Sequence, residues 1–69
     1  MKIKVNGDEK KLELSDENSL LSSALKSMGY NPNTVIVELN HLIVNSLKWD
    51  QVRLKEGDSL EIVSIVGGG

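Results

Sequence analysis

Cysteine is absent from this chain, which removes any disulfide framework, thiolate metal site or cysteine nucleophile. A small domain that folds without disulfides fits a reducing compartment. Histidine occurs once, at His41, so no histidine cluster can hold a metal. Phenylalanine is missing, and Trp49 and Tyr30 are the only aromatic residues, so the core must come from Leu, Ile and Val. No apolar run nears the roughly 20 residues that span a bilayer, and the first residues lack the apolar core of a signal peptide. The expected location is cytoplasmic. A basic excess is lacking too. Eight basic and ten acidic side chains, interspersed, give a net charge of −2. Neither nucleic acid nor a membrane surface is an expected partner, and an acidic bias of this size matches ordinary solubility.

With 69 residues the chain makes one small domain. Ordering it costs roughly 100 kcal/mol, at about 1.5 kcal/mol per residue. With 39% hydrophobic residues, nearly every Leu, Ile and Val must enter the core. Little volume is left for a deep pocket, which favours a module that works through its surface over a self-contained enzyme.

What is present reads in order. "MKIKVNG" alternates, with Met1, Ile3 and Val5 on one side and Lys2 and Lys4 on the other, as in a half-buried strand. Asn6-Gly7 supplies the positive φ of a tight hairpin turn around residues 6–9, and "KKLEL" resumes the alternation at Leu12 and Leu14. In "SDENS", Asn18 or Ser19 can cap a helix over "SLLSSALKSMG". Asp16 and Glu17 sit where the helix dipole favours negative charge. Leu20, Leu21, Ala24, Leu25 and Met28 share one face of that helix, and Ser22, Ser23, Lys26 and Ser27 take the other. Gly29 suits the left-handed position after the last turn, and Pro32 stops the helix from resuming.

"TVIVELN" and "HLIV" read as strands joined tightly at Asn40-His41. "NSLKWDQVRL" is less regular and reads as a short strand or turn. Lys55-Glu56-Gly57-Asp58 is a turn, and "SLEIVSIV" is the final strand. The order ββαβ(β)β gives an α+β domain: a mixed sheet of four to five strands with one main helix packed on one face. First and last strands pair in parallel with the helix crossing over, which is the β-grasp arrangement. Residues 1–66 form the domain and residues 67–69 a flexible Gly-Gly tail.

That tail suggests chemistry. From Val66 onward four residues reach about 13 Å when extended. Gly67-Gly68-Gly69 can thread a channel too narrow for side chains and present a carboxylate at its tip. A carboxylate is a poor electrophile. Adenylation by ATP in a partner's active site supplies a leaving group that a sulfur, nitrogen or oxygen nucleophile displaces. A frayed end, fusion scar or linker remnant is the competing explanation.

The chain resembles the ThiS family of thiamine-biosynthesis sulfur carriers, within the ubiquitin-like β-grasp group. The resemblance covers essentially the whole length. It rests on "VNG", "VIVELN", "IV" with a spaced Trp49, "EGDSLEIV" and "VGGG". Family members often carry Pro-Arg after the "IV" pair, where this chain has Asn45-Ser46, so a partner contact through that arginine is not expected. The resemblance implies a non-catalytic carrier with no permanently bound cofactor. Its Gly69 would be adenylated by an adenylyltransferase related to ubiquitin-activating enzymes. Sulfur from a cysteine desulfurase would then replace the adenylate as a thiocarboxylate and pass to thiazole synthase. Gly68 completes the required Gly-Gly pair, and Gly67 holds the variable position before it. The alternatives are a carrier like the molybdopterin synthase small subunit, a ubiquitin-like modifier ending on a lysine, and a plain interaction domain.

Along the final strand, Leu60 and Ile62 share the parity that faces the helix, whereas Glu61, Val63 and Ile65 share the other. Val63 and Ile65 are therefore candidate docking residues, joined by Val66 where the strand meets the tail. His41 reads as a solvent-exposed turn residue rather than a base, since it has no companion nucleophile. Trp49 reads as a cap on a small core rather than an interface anchor. Asp8-Glu9 and Asp16-Glu17 read as turn and helix-start chemistry rather than metal ligands.

Overall fold

The computed structural model describes residues 1–14 and 19–65. The order is β1 (Lys2–Val5), β2 (Asp8–Lys11), α1 (Leu21–Ser27), β3 (Val35–Leu39), β4 (Leu42–Ile43), a 3-10 helix (Ser46–Gln51) and β5 (Ser59–Ser64). The five strands form one mixed sheet in the order β2-β1-β5-β3-β4. β1 pairs antiparallel with β2 and parallel with β5, and β3 runs antiparallel to both β5 and β4. This is the β-grasp arrangement expected from the element order.

Asn6 and Gly7 both take positive φ, at 52° and 86°, so the first hairpin turns where Asn-Gly allows it. Strand β2 ends at Lys11, but the pairing continues for one more residue. Leu12 donates its N–H to the Met1 carbonyl at 2.7 Å, and the Met1 ammonium returns a bond to Leu12 at 3.0 Å. Leu12 thereby enters the core, while Leu14 packs at its edge.

Leu21, Ala24 and Leu25 of α1 are buried with Ile3, Val5, Val35, Val37, Leu60 and Ile62 from the inner face of the sheet. Each fully buried leucine contributes about 1.5–3 kcal/mol. Gly29 takes φ +85° after the last turn, as its position required.

Two local expectations need correcting. Ser19 does not cap the helix: Leu20 occupies the N-cap position, in an extended conformation and without a side-chain cap bond. The cause is tertiary. Leu20 forms an isolated antiparallel bridge with Arg53; the Leu54 N–H donates to the Ser19 carbonyl at 2.7 Å, and the Leu21 N–H to the Val52 carbonyl at 2.8 Å. Residues 19–21 are thus held extended by residues 52–54, and the helix begins only after them. Asn18, Asp16 and Glu17 lie outside the described residues.

The second correction concerns "NSLKWDQVRL", most of which is a 3-10 helix over Ser46–Gln51, with a strand-like contact only at the Arg53 bridge. Asn45 caps it, its side chain accepting the Leu47 N–H at 2.9 Å. The helix brings Trp49 inward, where it is 4% exposed and its indole donates to the Val44 carbonyl at 3.0 Å. Trp49 is thus a core residue, as its scarcity suggested. Asn45-Ser46 thus serves as a helix start.

Candidate functional site

The strand that leads to the glycines is the third of five in the sheet. β3 pairs with β5 from Leu60 to Ser64, and β1 pairs with its start, at Ser59 and Leu60, on the other edge. The last described bond runs from the Ile65 N–H to the Thr34 carbonyl, at 2.6 Å. Whatever follows residue 65 therefore leaves from a fixed point. Val66, Gly67, Gly68 and Gly69, which carry the tail and attachment expectations, lie outside the described residues.

Two asparagine side chains hold β5 beyond its main-chain ladder. After Val5 the β1 chain turns away, leaving the Ile62 peptide groups without a main-chain partner on that side. The Asn6 carboxamide takes the place of a strand residue: Oδ1 accepts the Ile62 N–H at 2.7 Å and Nδ2 donates to the Ile62 carbonyl at 3.2 Å. On the opposite edge Asn40 does the matching work. Its Oδ1 accepts the Ser59 N–H at 3.0 Å, its main-chain N–H donates to the Ser59 carbonyl at 2.8 Å, and its Nδ2 donates to Asp58 Oδ1 at 3.1 Å. Both asparagines sit at the first positive-φ position of a hairpin turn. The sequence marked them as turn residues only. Their second role depends on β5, more than 18 residues away in each case.

The parity expected along β5 holds. Leu60 and Ile62 are buried, whereas Val63 is 58% and Ile65 48% exposed on the outer face, which no helix covers. Ile36, opposite Val63 in the register, adds a third apolar side chain at 42% exposure. Ile43 lies on the same face, because it is opposite Glu38, which is in turn opposite Glu61. Ile36 and Ile43 were not singled out from the sequence. The signal was available in "VIVEL": buried Val35 and Val37 fix the parity, which puts Ile36 out with Glu38. The outer face thus carries Ile36, Ile43, Val63 and Ile65 exposed beside the end of β5.

His41 is exposed in the β3–β4 turn with φ +72°, consistent with a turn residue. Among the described residues no group of three or more His, Asp or Glu is placed to hold a metal ion, and no helix is long and apolar enough to cross a membrane.

Comparison with known proteins bears on this geometry. The profile of the ThiS family matches residues 3–69. The chain belongs to the ThiS family. The crystal structure of a thiamine biosynthesis protein (ThiS) from Geobacter metallireducens superposes with a TM-score of 0.83 at 26% identity, each chain covered completely. A solution structure of a thiamine biosynthesis protein from the same organism gives 0.79 at 27% identity, over all of this chain and 88% of that one. The chain is also 36% identical over its full length to part of a thiazole synthase of Paramagnetospirillum magneticum. A thiazole synthase of Magnetococcus marinus is 35% identical over the same span. The chain covers only 20% of each synthase, so in both the ThiS-like segment belongs to a much longer polypeptide.

Proposed function

We propose that this chain is a non-catalytic sulfur carrier for assembly of the thiamine thiazole, with Gly69 as the point of attachment. In this reading the Gly69 carboxylate attacks the α-phosphate of ATP in an adenylyltransferase, releasing pyrophosphate. Sulfur taken from cysteine by a desulfurase arrives as a persulfide, which displaces AMP to give an acyl disulfide; a partner thiol then cleaves it, forming a disulfide and leaving a thiocarboxylate. Thiazole synthase takes the sulfur, and the carrier returns with its carboxylate. Gly67 and Gly68 thread the partner's channel, while Val63, Ile65 and Val66 contribute to the grip beside it. ATP is the partner's substrate, so the carrier needs no bound cofactor of its own. The work is done in a reducing, cytoplasmic setting, consistent with a chain that has no cysteine.

One observation carries the reading. A central strand paired with β3 as far as Ser64 hands the chain on at Ile65 next to an uncovered apolar face, and Val-Gly-Gly-Gly follows in the sequence. That combination presents a slender reactive segment at a set distance from a surface a partner can hold. Membership of the ThiS family supports sulfur as the cargo. The two thiazole synthases that contain a similar segment support the synthase as recipient, since domains joined in one polypeptide in some proteins commonly act together when separate.

Intact mass spectrometry of the protein isolated from cells with and without the cognate adenylyltransferase tests the proposal. A species heavier by one oxygen-to-sulfur exchange, mapped to Gly69 and dependent on that enzyme, is expected. Only unmodified protein, where a control carrier is thiolated, would overturn it. Conjugates on lysine would transfer the chain to the ubiquitin-like modifiers.

A further inference from the structure

Asn6-Gly7 has a covalent chemistry that neither its turn nor its bridge to β5 uses. Asn6 is the one asparagine of the chain that precedes glycine. The main-chain nitrogen of the residue after an asparagine can attack the Cγ of its carboxamide, and a following glycine puts no side chain in the way. A C–N bond forms, Nδ2 leaves as ammonia, and a cyclic imide remains. Water then opens the imide at either carbonyl. One opening gives an aspartyl residue; the other reroutes the main chain through Cγ and gives an isoaspartyl residue. The sum is water taken up and ammonia released, with no oxidant or cofactor.

The structure both permits this reaction and restrains it. Gly7 is exposed, and a Cβ placed on it would meet nothing within 4 Å, so the attacking nitrogen is uncrowded. Other asparagines are less suited: Asn31 precedes Pro32, whose nitrogen has no hydrogen to lose, and Asn33 precedes the β-branched Thr34. The restraint is the carboxamide's engagement with β5. Oδ1 accepts the Ile62 N–H at 2.7 Å, and Nδ2 donates to the Ile62 carbonyl at 3.2 Å. Attack makes Cγ tetrahedral and expels Nδ2, so the planar pair of bonds cannot survive it.

We propose that Asn6 is a deamidation site guarded by its own bridge: it converts during openings that free it from Ile62, and conversion prevents the two-bond bridge from re-forming. An ionised carboxylate only accepts, so it has no donor for the Ile62 carbonyl and turns an oxygen towards it instead. The isoaspartyl form also adds a carbon to the main chain between paired Val5 and Asp8, in a turn whose two residues hold φ 52° and 86°. The strand released on one edge is β5, which leads to the glycines. This chemistry is independent of what those glycines carry.

The test incubates the full chain in mildly alkaline buffer without urea, in sub-denaturing urea and in denaturing urea. Peptide mass mapping follows the gain of one amide-to-acid exchange, chromatography separates the aspartyl from the isoaspartyl peptide, and hydrogen exchange follows the Ile62 amide. Conversion at Asn6 is expected to run roughly thirtyfold slower in the folded chain than in denaturing urea, the effect of two ordinary hydrogen bonds. Below the unfolding transition it should rise in step with Ile62 exchange, since both need the same opening. Converted chain, separated from unconverted, should melt at a lower temperature and exchange Ile62 faster, and Asn6→Asp should do the same. The converted fraction supplies this readout even where Asn6→Asp fails to fold. Equal rates in folded and unfolded chain would overturn the guard, and no conversion at Asn6 in denaturing urea would overturn the site. Converted chain with unchanged melting and unchanged Ile62 exchange would overturn the consequence.

Discussion

Replacing Asn6 tests the claim that a side chain extends the sheet where β1 runs out. The Asn6 carboxamide makes two bonds to the Ile62 peptide groups, at 2.7 and 3.2 Å, at a part-buried position. Each such bond contributes about 1 kcal/mol net, and a peptide group left without a partner adds to the loss. Asn6 also adopts φ 52°, a conformation that costs an ordinary L-residue about 1–2 kcal/mol. Asn6→Ala therefore loses about 3 kcal/mol. For a domain of this size each kcal/mol lowers the melting temperature by roughly 4–8 °C, so the midpoint falls by roughly 12–24 °C.

A companion variant divides the effect. Asn6→Gly accepts the positive φ but makes neither bond, so it should recover about 1 kcal/mol of the alanine loss and no more. Chemical denaturation gives the free energies, and amide hydrogen exchange gives the residue. The Ile62 amide should exchange much faster in Asn6→Gly than in wild type, whereas the Val63 amide, which faces β3, should keep its protection. Asn6→Gly with wild-type stability and an unchanged Ile62 amide would refute the bridging role. Asparagine would then be a turn residue only, as its sequence context alone suggests.

Other substitutions probe the remaining links. Trp49→Ala removes the largest core side chain and should cost about 3–5 kcal/mol, enough to lose cooperative melting, while Leu47→Ala at a position 84% exposed should stay within about 0.5 kcal/mol. His41→Gly relieves the φ +72° of the β3–β4 turn and should stabilise by about 0.5–1 kcal/mol; a loss of stability would show that the imidazole has a contact worth more than the strain. Val63→Asp, on the outer face, should cost no more than about 1 kcal/mol of stability yet block adenylation by the cognate enzyme at low carrier concentration, and normal adenylation there would remove the outer face from the docking surface.

Much of this geometry could be read along the chain, for identifiable reasons. Asn6-Gly7 determines its own hairpin, because few other residue pairs accept two consecutive positive φ values. The leucine spacing determined which face of α1 is buried, and the parity of Leu60 and Ile62 determined which face of β5 is exposed. These are local rules. The late start of α1 was not legible, since it depends on residues 52–54 pairing with residues 19–21. The 3-10 helix escaped for a similar reason: two short turns anchored by Trp49 are too few to show a period. The two asparagine bridges require a register between strands that are distant in the chain, and no single strand reveals it.

The energetics explain why a carrier of this design needs more than a tail. Fixing a four-residue segment in a channel costs about 4–8 kcal/mol of backbone entropy, with glycine at the upper end. The four outer apolar side chains, Ile36, Ile43, Val63 and Ile65, are 42–72% exposed, so covering them returns a little over half of the 1.5–3 kcal/mol of full burial each, or about 3–7 kcal/mol together. Apolar contact over this face is therefore of the same size as the cost of threading the tail, and loss of one such side chain shifts the balance. It follows that variants of Val63 and of Ile36 should weaken the same step. Either one should raise the carrier concentration needed for half-maximal adenylation and leave the rate at saturation nearly unchanged, because neither residue reaches the reacting carboxylate. A variant that lowered the saturated rate with unchanged half-saturation would contradict this division of labour and place the outer face in the chemistry instead of the grip.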